Sequence, residues 1–535
     1  MSKDIKFLLI FLAFYFVVST VLFSTMFQDG TYPSVDIVHN NFFSDIVSKD
    51  HKITYNNPYN ATIGSNIFGP RAVYVNREGA EFPATHIGYI IIVGIFKMIT
   101  PSFVFIVNSS LLCLGLFYLY KLSSILFDKK TAFISIFLFA FLAPVLFWSA
   151  MLINNIAGLS IFIVALYYFF HAYLLTKNKS FIFFSIFAGL SIWIRYDLAL
   201  YYLPLLIPII HLILREKIVF VKKNFLAFVA LALTLLPLAI INFELFHRVR
   251  GPIGANLEEG INLLSPNIAE AIDSYKILGI FSFKIDAFFE NTYVYLIKTD
   301  PLLFFFFVLA LLILIYQFKR NSIKFNLSLL SFFLILLFNV FFYSGNIWSG
   351  YTKDIFNINS MYTRYLLPSY LVIVLISSSY ISHFANTTKN SSMRNTIILL
   401  ILMILFISNL LTAITSPQGI YNTTVSIKKD LKSIESLILS NTESNSVIFT
   451  KYYDKFIFPK RMTAIYPTFQ SEKRVYLTMA TVSKLLENNV PVYFLNEDSI
   501  SQYDIYTLGK DYFPEFVKNN LKIIKINNLL YKIER

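Results

Sequence analysis

DGTYPSVDIVHNNFFSDIVSKDHKITYNNPYNATIGSNIFGPRAVYVNREGAEFPATH, residues 29–86, is a long polar stretch in a chain that is otherwise mostly apolar. It follows one apolar run and precedes a series of others. A connection of this length without helical periodicity is usually either functional or disordered. Aromatic and β-branched residues occur throughout it, which argues against disorder. We therefore predict an ordered, functional loop beside a membrane.

The composition predicts an α-helical polytopic membrane protein. Of the 535 residues, 56% are hydrophobic and 14% are charged, whereas soluble domains carry about 25% charged residues. The single cysteine, Cys113, excludes a disulfide within the chain and a thiolate metal cluster. Apolar runs suited to crossing a bilayer predict about eleven spans, at residues 6–24, 103–127, 131–150, 156–175, 181–194, 198–214, 224–246, 301–318, 325–343, 365–384 and 396–414.

The placement of basic residues predicts the topology. Five short loops carry clusters of Lys and Arg, and the positive-inside rule places them on the cytoplasmic side. This explains the net charge of +14 without a nucleic-acid partner. The first apolar run lacks a small-residue cleavage site, so we expect a retained anchor and an outside location for residues 29–86. The segment 86–100 is short for a span and is expected to lie along the membrane; the alternative is that it crosses.

The chain becomes more polar from about residue 417. Helix-like runs at 427–439, 475–488 and 511–520 alternate with the strand-like runs SVIFT, VPVYFL, KIIKI and LLYKI. This alternation predicts a small α/β domain. We expect a membrane domain at 1–415, with its outer loop at 25–86, and an extracytoplasmic α/β domain at 416–535. Within the outer loop, VYV is expected to form a hairpin strand that turns at 76–79.

Several short motifs follow one another along the membrane domain. Their order resembles that of the GT-C superfamily, polytopic glycosyltransferases that use polyprenyl-phosphate sugars, and in particular the protein O-mannosyltransferase and lipid A aminoarabinose transferase group. Ile37 stands where many relatives have Glu, and an Asn pair stands where the family has a second acidic site. The matching positions are Asp36 in YPSVDIVHNN, Phe82-Pro83, Asn154-Asn155, Gly189-Leu190 with Arg195, and Arg364-Tyr365 with Pro368.

The resemblance implies transfer of a sugar from a polyprenyl-phosphate donor to an extracytoplasmic hydroxyl on a protein or glycolipid. Asp36 is the candidate general base, because a carboxylate at the membrane face can take the acceptor proton. Arg195, Arg364 and Arg71 are the candidate ligands of the donor phosphate, because the guanidinium fork grips phosphate in two places. The resulting protein would be integral to the plasma membrane, with its active site and C-terminal domain outside.

Each of these residues also has a structural alternative. Ser34 or Asp36 could cap a helix starting at this point. Arg195 could pair with Asp197, and Arg364 with Asp354, inside the bundle. Arg71, like Arg77, could be a solvated surface charge. Tyr and Trp near the span ends could form an interfacial belt, the interpretation we favour for Trp148, Tyr343, Trp348 and Tyr362.

Three further residues are candidates for metal or acceptor contacts. His39 lies three positions after Asp36 and would share its helix face. Together with His86 these residues could bind a divalent cation, the one cofactor that the sequence suggests. Asn154 is the third candidate, at the second acidic position of the family. The alternative for all of them is ordinary hydrogen bonding within the loop and bundle.

Two rival functions remain open at the level of sequence. The first is transfer to protein Asn, as in oligosaccharyltransferases, which usually carry a Trp-Trp-Asp-type motif in the outer tail; all three Trp of this chain precede residue 349. The second is a transporter or flippase, which would predict paired hydropathy repeats and ionisable residues near mid-membrane. The sequence contains no P-loop and no dinucleotide fingerprint after a strand, so a nucleotide-sugar donor is not indicated.

Overall fold

A computed structural model describes residues 3–27, 32, 34–63, 68–69, 73–75, 80–83, 86–246, 283–346, 356–386, 390–465, 472–497 and 512–535. The chain forms two compact units. The first, the bundle unit, comprises residues 1–26, 102–241 and 279–423. The second, the outer-loop unit, comprises 27–101, 242–278 and 424–535. The polar stretch at residues 29–86 thus shares a unit with the C-terminal residues.

The bundle unit consists of helices that are apolar enough to cross a membrane. Eight described helices meet the length and hydropathy expected of a span, and the number rises to ten if each of two bent helix pairs is one span. The eight are Asp4–Phe27, Pro101–Leu126, Asn154–Leu175, Leu198–Glu216, Lys222–Leu245, Ile323–Ser344, Leu367–Phe384 and Ser392–Ser440; residues 424–440 of the last belong to the outer-loop unit. The helix Lys179–Ile194 has only 16 residues and accounts for the eleventh predicted span. The polytopic helical fold predicted from sequence is confirmed.

Proline explains the two bends. Lys129–Phe141 and Ala143–Ser149 meet at 61°, and Ile285–Ile297 meets Pro301–Gln317 at 102°. Pro144 and Pro301 each lie in the first turn of the second helix of their pair. Proline is tolerated there because the amide it lacks would have no partner within the helix.

Some of the spans consist of more than one helical element, and others differ slightly in their bounds from the helix that forms them. The helical elements whose own bounds have not yet been given are Lys3–Phe27, Pro101–Ile106, Val107–Leu126, Leu198–Tyr201, Leu203–Leu205, Leu206–Glu216, Ile218–Phe246, Ile285–Thr292, Tyr293–Ile297, Met361–Tyr365, Leu367–Asn386, Ser391–Thr415 and Ile420–Ser426.

The helix Asn154–Leu175 lies at the centre of the bundle unit, and most of its side chains are buried. A β-carbon on Gly115 of the helix Val107–Leu126 would lie 3.0 Å from the Ser160 backbone. This contact shows how closely the two helices approach. Small residues at helix contacts are typical of membrane bundles, where packing replaces the hydrophobic effect as the main source of cohesion.

Two helices dominate the first part of the outer-loop unit: the Asp36 helix, Val35–Asp50, and the Gly94 helix, Ile87–Ile99. They pack on each other through Phe43, Val47 and Ile90. Lys97 is buried between them and donates to the Asn41 carbonyl at 2.9 Å, the Asn41 side chain at 2.7 Å and Asp45 Oδ1 at 2.9 Å. The Gly94 helix has 13 residues, or about 20 Å at 1.5 Å per residue, which is too short to cross a bilayer.

A small antiparallel sheet completes the outer loop. Its strands are β1 (Tyr55–Asn56), β2 (Val73–Val75) and β3 (Ala80–Pro83), in the order β1-β3-β2. Val73 is paired with Pro83, and Val75 with Glu81. The predicted VYV strand is therefore confirmed, whereas the turn predicted at 76–79 lies outside the described residues. A short helix, Pro58–Ile63, follows β1.

The C-terminal part of the outer-loop unit is an α/β domain, as predicted. Its sheet has the order β5-β4-β6-β8-β7; β4 is parallel to β5 and β6, whereas β8 is antiparallel to both of its neighbours. The four strand-like runs in the sequence correspond to β4, β6, β7 and β8, and β5 is an additional edge strand. The strands are β4 Val447–Thr450, β5 Met462–Ile465, β6 Val492–Leu495, β7 Lys522–Lys525 and β8 Leu530–Glu534, and the helices are Ile427–Leu431, Lys432–Ser440, Asp454–Ile457, Glu472–Glu487 and Phe513–Lys518.

Gly94 tests the packing of the two loop helices. A β-carbon at Gly94 would lie 2.5 Å from Val47 Cγ1 and 2.7 Å from Val47 Cβ. We expect Gly94→Ala to lower the free energy of unfolding of this unit by about 1–3 kcal/mol, because the clash forces the helices apart. The measurement is thermal unfolding of the purified protein. Val47→Ala in the same chain should recover part of the loss, since it removes the nearest atom.

Ile95→Ala is the matched control, because Ile95 is 52% exposed on the same helix. An unfolding midpoint for Gly94→Ala equal to that of the Ile95→Ala control would contradict the tight contact.

Candidate active site

Two buried arginines lie around one aromatic ring in the bundle unit. Arg195 follows the helix Lys179–Ile194, and Arg364 lies in the short helix Met361–Tyr365. They are 6% and 8% exposed. The guanidinium carbons of Arg195 and Arg364 lie 5.4 Å and 5.1 Å from the centre of the Tyr365 ring. The structure thus brings together two of the three arginines singled out as phosphate ligands.

Arg195 forms an ion pair with Asp197, the structural alternative considered from the sequence. Its Nε donates to Asp197 Oδ1 at 2.8 Å, and its Nη2 donates to Oδ2. The Tyr343 hydroxyl donates to the same Oδ2 at 2.5 Å. The Tyr343 ring also stacks on Tyr365, with ring centres 4.7 Å apart. This ion pair orients Arg195. The third guanidinium nitrogen, Nη1, takes no part in the two hydrogen bonds to Asp197.

Arg364 lies between two aromatic rings. Its guanidinium carbon is 5.8 Å from the Trp148 ring centre, and its Nη2 donates to the Tyr365 hydroxyl at 3.4 Å. Trp148 is held in turn by a 2.9 Å hydrogen bond from its Nε1 to Thr363 Oγ1. Cation–π contacts of this kind stabilise a desolvated guanidinium, which keeps its positive charge. The alternative partner Asp354 lies outside the described residues.

Asn154 and Asn155 contact the backbone beside each arginine. The Asn154 amide donates to the Ile194 carbonyl at 3.4 Å, and the Asn155 amide donates to the Arg364 carbonyl at 3.4 Å. Both residues begin the buried central helix. The Asn pair therefore connects the two arginine-bearing segments.

A glycine makes room for the Arg195 side chain. A β-carbon on Gly158 would lie 3.1 Å from Arg195 Cδ and Cγ. On the other side of the cluster, Asn339 donates to the Tyr201 hydroxyl at 2.6 Å and to the Tyr365 carbonyl at 2.9 Å. These contacts fix the segments that carry Asp197 and Tyr365, so the arginine cluster is held by several helices at once.

The interfacial-belt interpretation of the aromatic residues is wrong for three of the four residues named. Trp148, Tyr343 and Tyr362 are 3%, 4% and 0% exposed. An interfacial residue presents one end to water and headgroups, whereas these side chains are enclosed by protein. Trp348 lies outside the described residues.

Asp36 lies in the outer-loop unit, in the first turn of the Asp36 helix. Ser34 occupies the N-cap position, and its side chain makes no capping hydrogen bond. Asp36 is partly exposed, and the positive end of the helix dipole favours a carboxylate there. Its position suits a base that must meet an acceptor from solution.

The two histidine candidates lie in the same unit as Asp36. His39 is fully buried one turn later, with its ring 5.8 Å from that of Phe43. His86 is the N-cap residue of the Gly94 helix. Within the described part of the chain, no group of three or more His, Cys, Asp or Glu side chains is arranged to hold a metal ion. Arg71, the third candidate phosphate ligand, lies outside the described residues.

A separate cavity of about 240 Å³ lies elsewhere in the bundle unit. It is lined by residues that include Asp128, Gln317, Asn321 and His383, and it contains neither arginine of the cluster. The site described above is therefore identified by its buried charge and aromatic rings, not by this cavity.

Known proteins resemble this chain in sequence over one segment and in fold over most of its length. The family model described as dolichyl-phosphate-mannose-protein mannosyltransferase matches residues 80–241. No curated protein matches the chain. The structure of the ArnT protein from Cupriavidus metallidurans, bound to undecaprenyl phosphate, matches with a TM-score of 0.59 at 9% identity, and the match covers 98% of each chain.

A second similar structure is the archaeal oligosaccharyltransferase AglB from Archaeoglobus fulgidus, in complex with an inhibitory peptide and a dolichol-phosphate. It matches with a TM-score of 0.55 at 13% identity, covering 93% of this chain and 70% of that one. These matches agree with the resemblance seen in the motifs, and together with the family match they indicate a membrane glycosyltransferase in general terms. The chain has the fold of the GT-C superfamily.

Proposed function

We propose that the protein transfers a sugar from a polyprenyl-phosphate donor to a hydroxyl group of a protein or glycolipid on the extracytoplasmic side. The observation that carries this proposal is the pair of buried arginines, both within 5.4 Å of one tyrosine ring centre. Buried cations inside a membrane bundle are costly and usually mark a functional site. A phosphate group is the anion whose geometry the guanidinium fork fits.

The arginine cluster would bind the donor phosphate. The donor loses its sugar with both electrons of the bond between the anomeric carbon and the phosphate oxygen, so negative charge grows on the departing lipid phosphate. Arg195 and Arg364 would stabilise that charge. Electrostatic stabilisation of this kind is the largest single source of rate enhancement in many enzymes. Asp197 and the aromatic rings keep both guanidinium groups oriented before the donor arrives.

Asp36 would act as the general base. As the acceptor oxygen attacks the anomeric carbon from the face opposite the phosphate, its proton passes to the Asp36 carboxylate. The new glycosidic bond forms while the bond to the phosphate breaks, and the configuration at the anomeric carbon is inverted. A partly exposed carboxylate at a helix start can exchange this proton with water after each turnover. His39, His86 and Asn154 remain candidates for contacts to the acceptor.

The donor and orientation proposed here have independent support. The ArnT and AglB structures contain undecaprenyl phosphate and dolichol-phosphate respectively, and a lipid phosphate would reach buried arginines sideways from the bilayer. By the positive-inside rule, the short loops that carry clusters of Lys and Arg lie on the cytoplasmic side. This placement of the basic loops would leave the active site and the C-terminal domain facing outward.

Transfer to an asparagine amide is the second candidate, because AglB is an oligosaccharyltransferase that shares the fold. The family model that matches residues 80–241 is described as a dolichyl-phosphate-mannose-protein mannosyltransferase, the group for which the motifs implied a hydroxyl acceptor, and 30% of the AglB chain lies beyond its match. We therefore favour the hydroxyl acceptor. A peptide containing Asn-X-Thr and a peptide rich in Ser and Thr but lacking Asn distinguish the two acceptor classes directly.

Asp36→Asn tests the base. We expect it to lower the transfer rate at least about 100-fold with unchanged folding, because general-base catalysis contributes about 10²–10⁴-fold. The measurement is release of radiolabelled sugar from its lipid carrier by purified protein in liposomes. Asp50→Asn, an exposed carboxylate at the other end of the same helix, should retain full activity. Transfer by Asp36→Asn at the rate of the Asp50→Asn control would remove Asp36 from the mechanism.

Arg195→Lys and Arg364→Lys test the phosphate site. Lysine keeps the charge but loses the two-point grip, so we expect about 10-fold weaker donor binding from each. The measurement is the affinity of the purified variants for undecaprenyl phosphate, read by ligand-dependent thermal stabilisation. Arg320→Lys is the matched control, since Arg320 is exposed in a loop of the same unit. Unchanged affinity in both cluster variants would contradict the proposed site.

A further inference from the structure

Glu81 is a fully buried carboxyl in the outer loop. It lies on β3, and its Oε1 accepts hydrogen bonds from the side-chain amides of Asn57 and Asn60, the latter at 2.7 Å. Its Oε2 is buried and has no hydrogen-bond partner among the described residues. A buried carboxyl without full compensation is costly, and such groups are retained where they serve a specific purpose.

Gly69 lies directly on this carboxyl. Its φ angle is +105°, and a β-carbon there would lie 3.1 Å from Glu81 Oε2. The Gly69 amide donates to the Thr463 carbonyl at 2.8 Å, and the Thr463 hydroxyl donates to the Gly69 carbonyl at 3.1 Å. Phe68 forms an antiparallel bridge with Ala464. The loop thus pairs with β5, the edge strand of the C-terminal sheet, through a single β-bridge at Phe68.

The same loop segment contributes to the core of the C-terminal domain. Ile63 and Phe68 belong to one buried cluster with Phe449 and Phe494 of the sheet. The Tyr59 hydroxyl donates to the Asn445 carbonyl at 3.0 Å. The outer loop and the C-terminal domain are therefore held together by backbone pairing and by shared apolar packing, and Glu81 lies where the two meet.

The Asp36 helix is attached to the same assembly. Phe42 of this helix contacts Phe458 of the C-terminal domain with ring centres 4.7 Å apart, and it contacts Tyr55 of β1 at 5.2 Å. A change in the shape of residues 55–63 and 68–69 would therefore reach the helix that carries Asp36. We use the name loop joint for the contacts among Asn57, Phe68, Gly69, Glu81 and Thr463.

We propose that Glu81 is a positioning residue, which holds the loop joint closed and thereby fastens the Asp36 helix to the C-terminal domain. Glu81 acts through Asn57 and Asn60 and does not itself touch the substrate. The C-terminal domain then has a definite role: its edge strand completes the fold of the outer loop. The link to catalysis rests on the proposed function, whereas the joint itself does not.

The protonation of Glu81 gives the joint a pH dependence. Burial raises the pKa of this carboxyl to about 8, against the lowering effect of Asn57 and Asn60. The titratable neighbours among the described residues are Tyr55 and, beside it, Tyr59. Burial raises the pKa of both tyrosines, and Glu81 raises that of Tyr55 further. Both side chains are neutral below these raised pKa values. The folded state favours the neutral acid, so stability is greatest at low pH and is lost as pH rises through about 8.

Hydrogen exchange of the full-length protein in detergent tests the joint without any assay of activity. After correction for intrinsic rates, we expect residues 55–63 and 462–465 to exchange at least about tenfold faster at pH 9 than at pH 6.5, because Oε2 of the charged carboxyl is buried with no hydrogen-bond partner among the described residues. Glu81→Gln cannot ionise and keeps an acceptor for the asparagines, so its protection should not change with pH. Glu487→Gln, an exposed carboxylate paired with Arg535, should behave as the wild type.

Wild-type protection that is the same at both pH values, together with equal protection in Glu81→Gln, would overturn the proposal. If Glu81→Ala fails to fold, Asn57→Ala replaces it, because it removes one bond of the joint and leaves the carboxyl in place. Fast exchange of residues 55–63 in either alanine variant at pH 6.5 supports the joint, and wild-type protection in that variant counts against it.

Transfer kinetics test the link to catalysis. Glu81→Ala should lower kcat with little change in KM for the lipid donor, and Glu81→Gln should restore kcat and extend activity to higher pH than in the wild type. Unchanged kcat in Glu81→Ala would overturn the positioning role. A wild-type protein without any transfer activity would instead refute the proposed function, and hydrogen exchange would still decide whether the joint exists.

Discussion

Charge held inside an apolar helical bundle is the constraint on which this structure depends. Arg195 and Arg364 are almost fully buried, and moving a cation out of water costs several kcal/mol unless close partners compensate for the loss. Asp197, Tyr343, Tyr365 and Trp148 provide that compensation. Asn155 and Asn339 then fix the backbone that presents them. An apolar bundle needs none of these residues for its own stability, and their convergence is the basis of the proposed anion site.

Much of the fold was predictable, because hydropathy dominates local structure in a membrane. Each predicted span corresponds to a helix, a short helix or a bent pair. Period-two patterns also identified β4, β6, β7 and β8. Strand β5, Met462–Ile465, was missed because it gains its stability from pairing with β4 and with Phe68, a residue almost 400 positions earlier. Sequence patterns carry no information about such distant partners.

The site was predictable as a set of residue types but not as an arrangement. Arg195 and Arg364 stood out because charges beside apolar spans are costly, and the Arg195–Asp197 pair followed from adjacency. That both arginines share the Tyr365 ring depends on helix packing, which no local pattern encodes. Glu81 was overlooked for a similar reason: a glutamate in a polar loop is usually solvated, and only its burial against Asn57, Asn60 and Gly69 reveals a different role.

The most direct test of the account is donor turnover by the wild-type protein. Purified protein in sealed liposomes is given undecaprenyl-phosphate mannose, with the label in the sugar, and a membrane extract as the source of acceptor. The account predicts that label moves to a protein or glycolipid and that free undecaprenyl phosphate appears in equal amount. Failure of both, repeated with aminoarabinose and N-acetylhexosamine donors on the same carrier, would contradict the assignment of this fold to lipid-phosphate sugar transfer here.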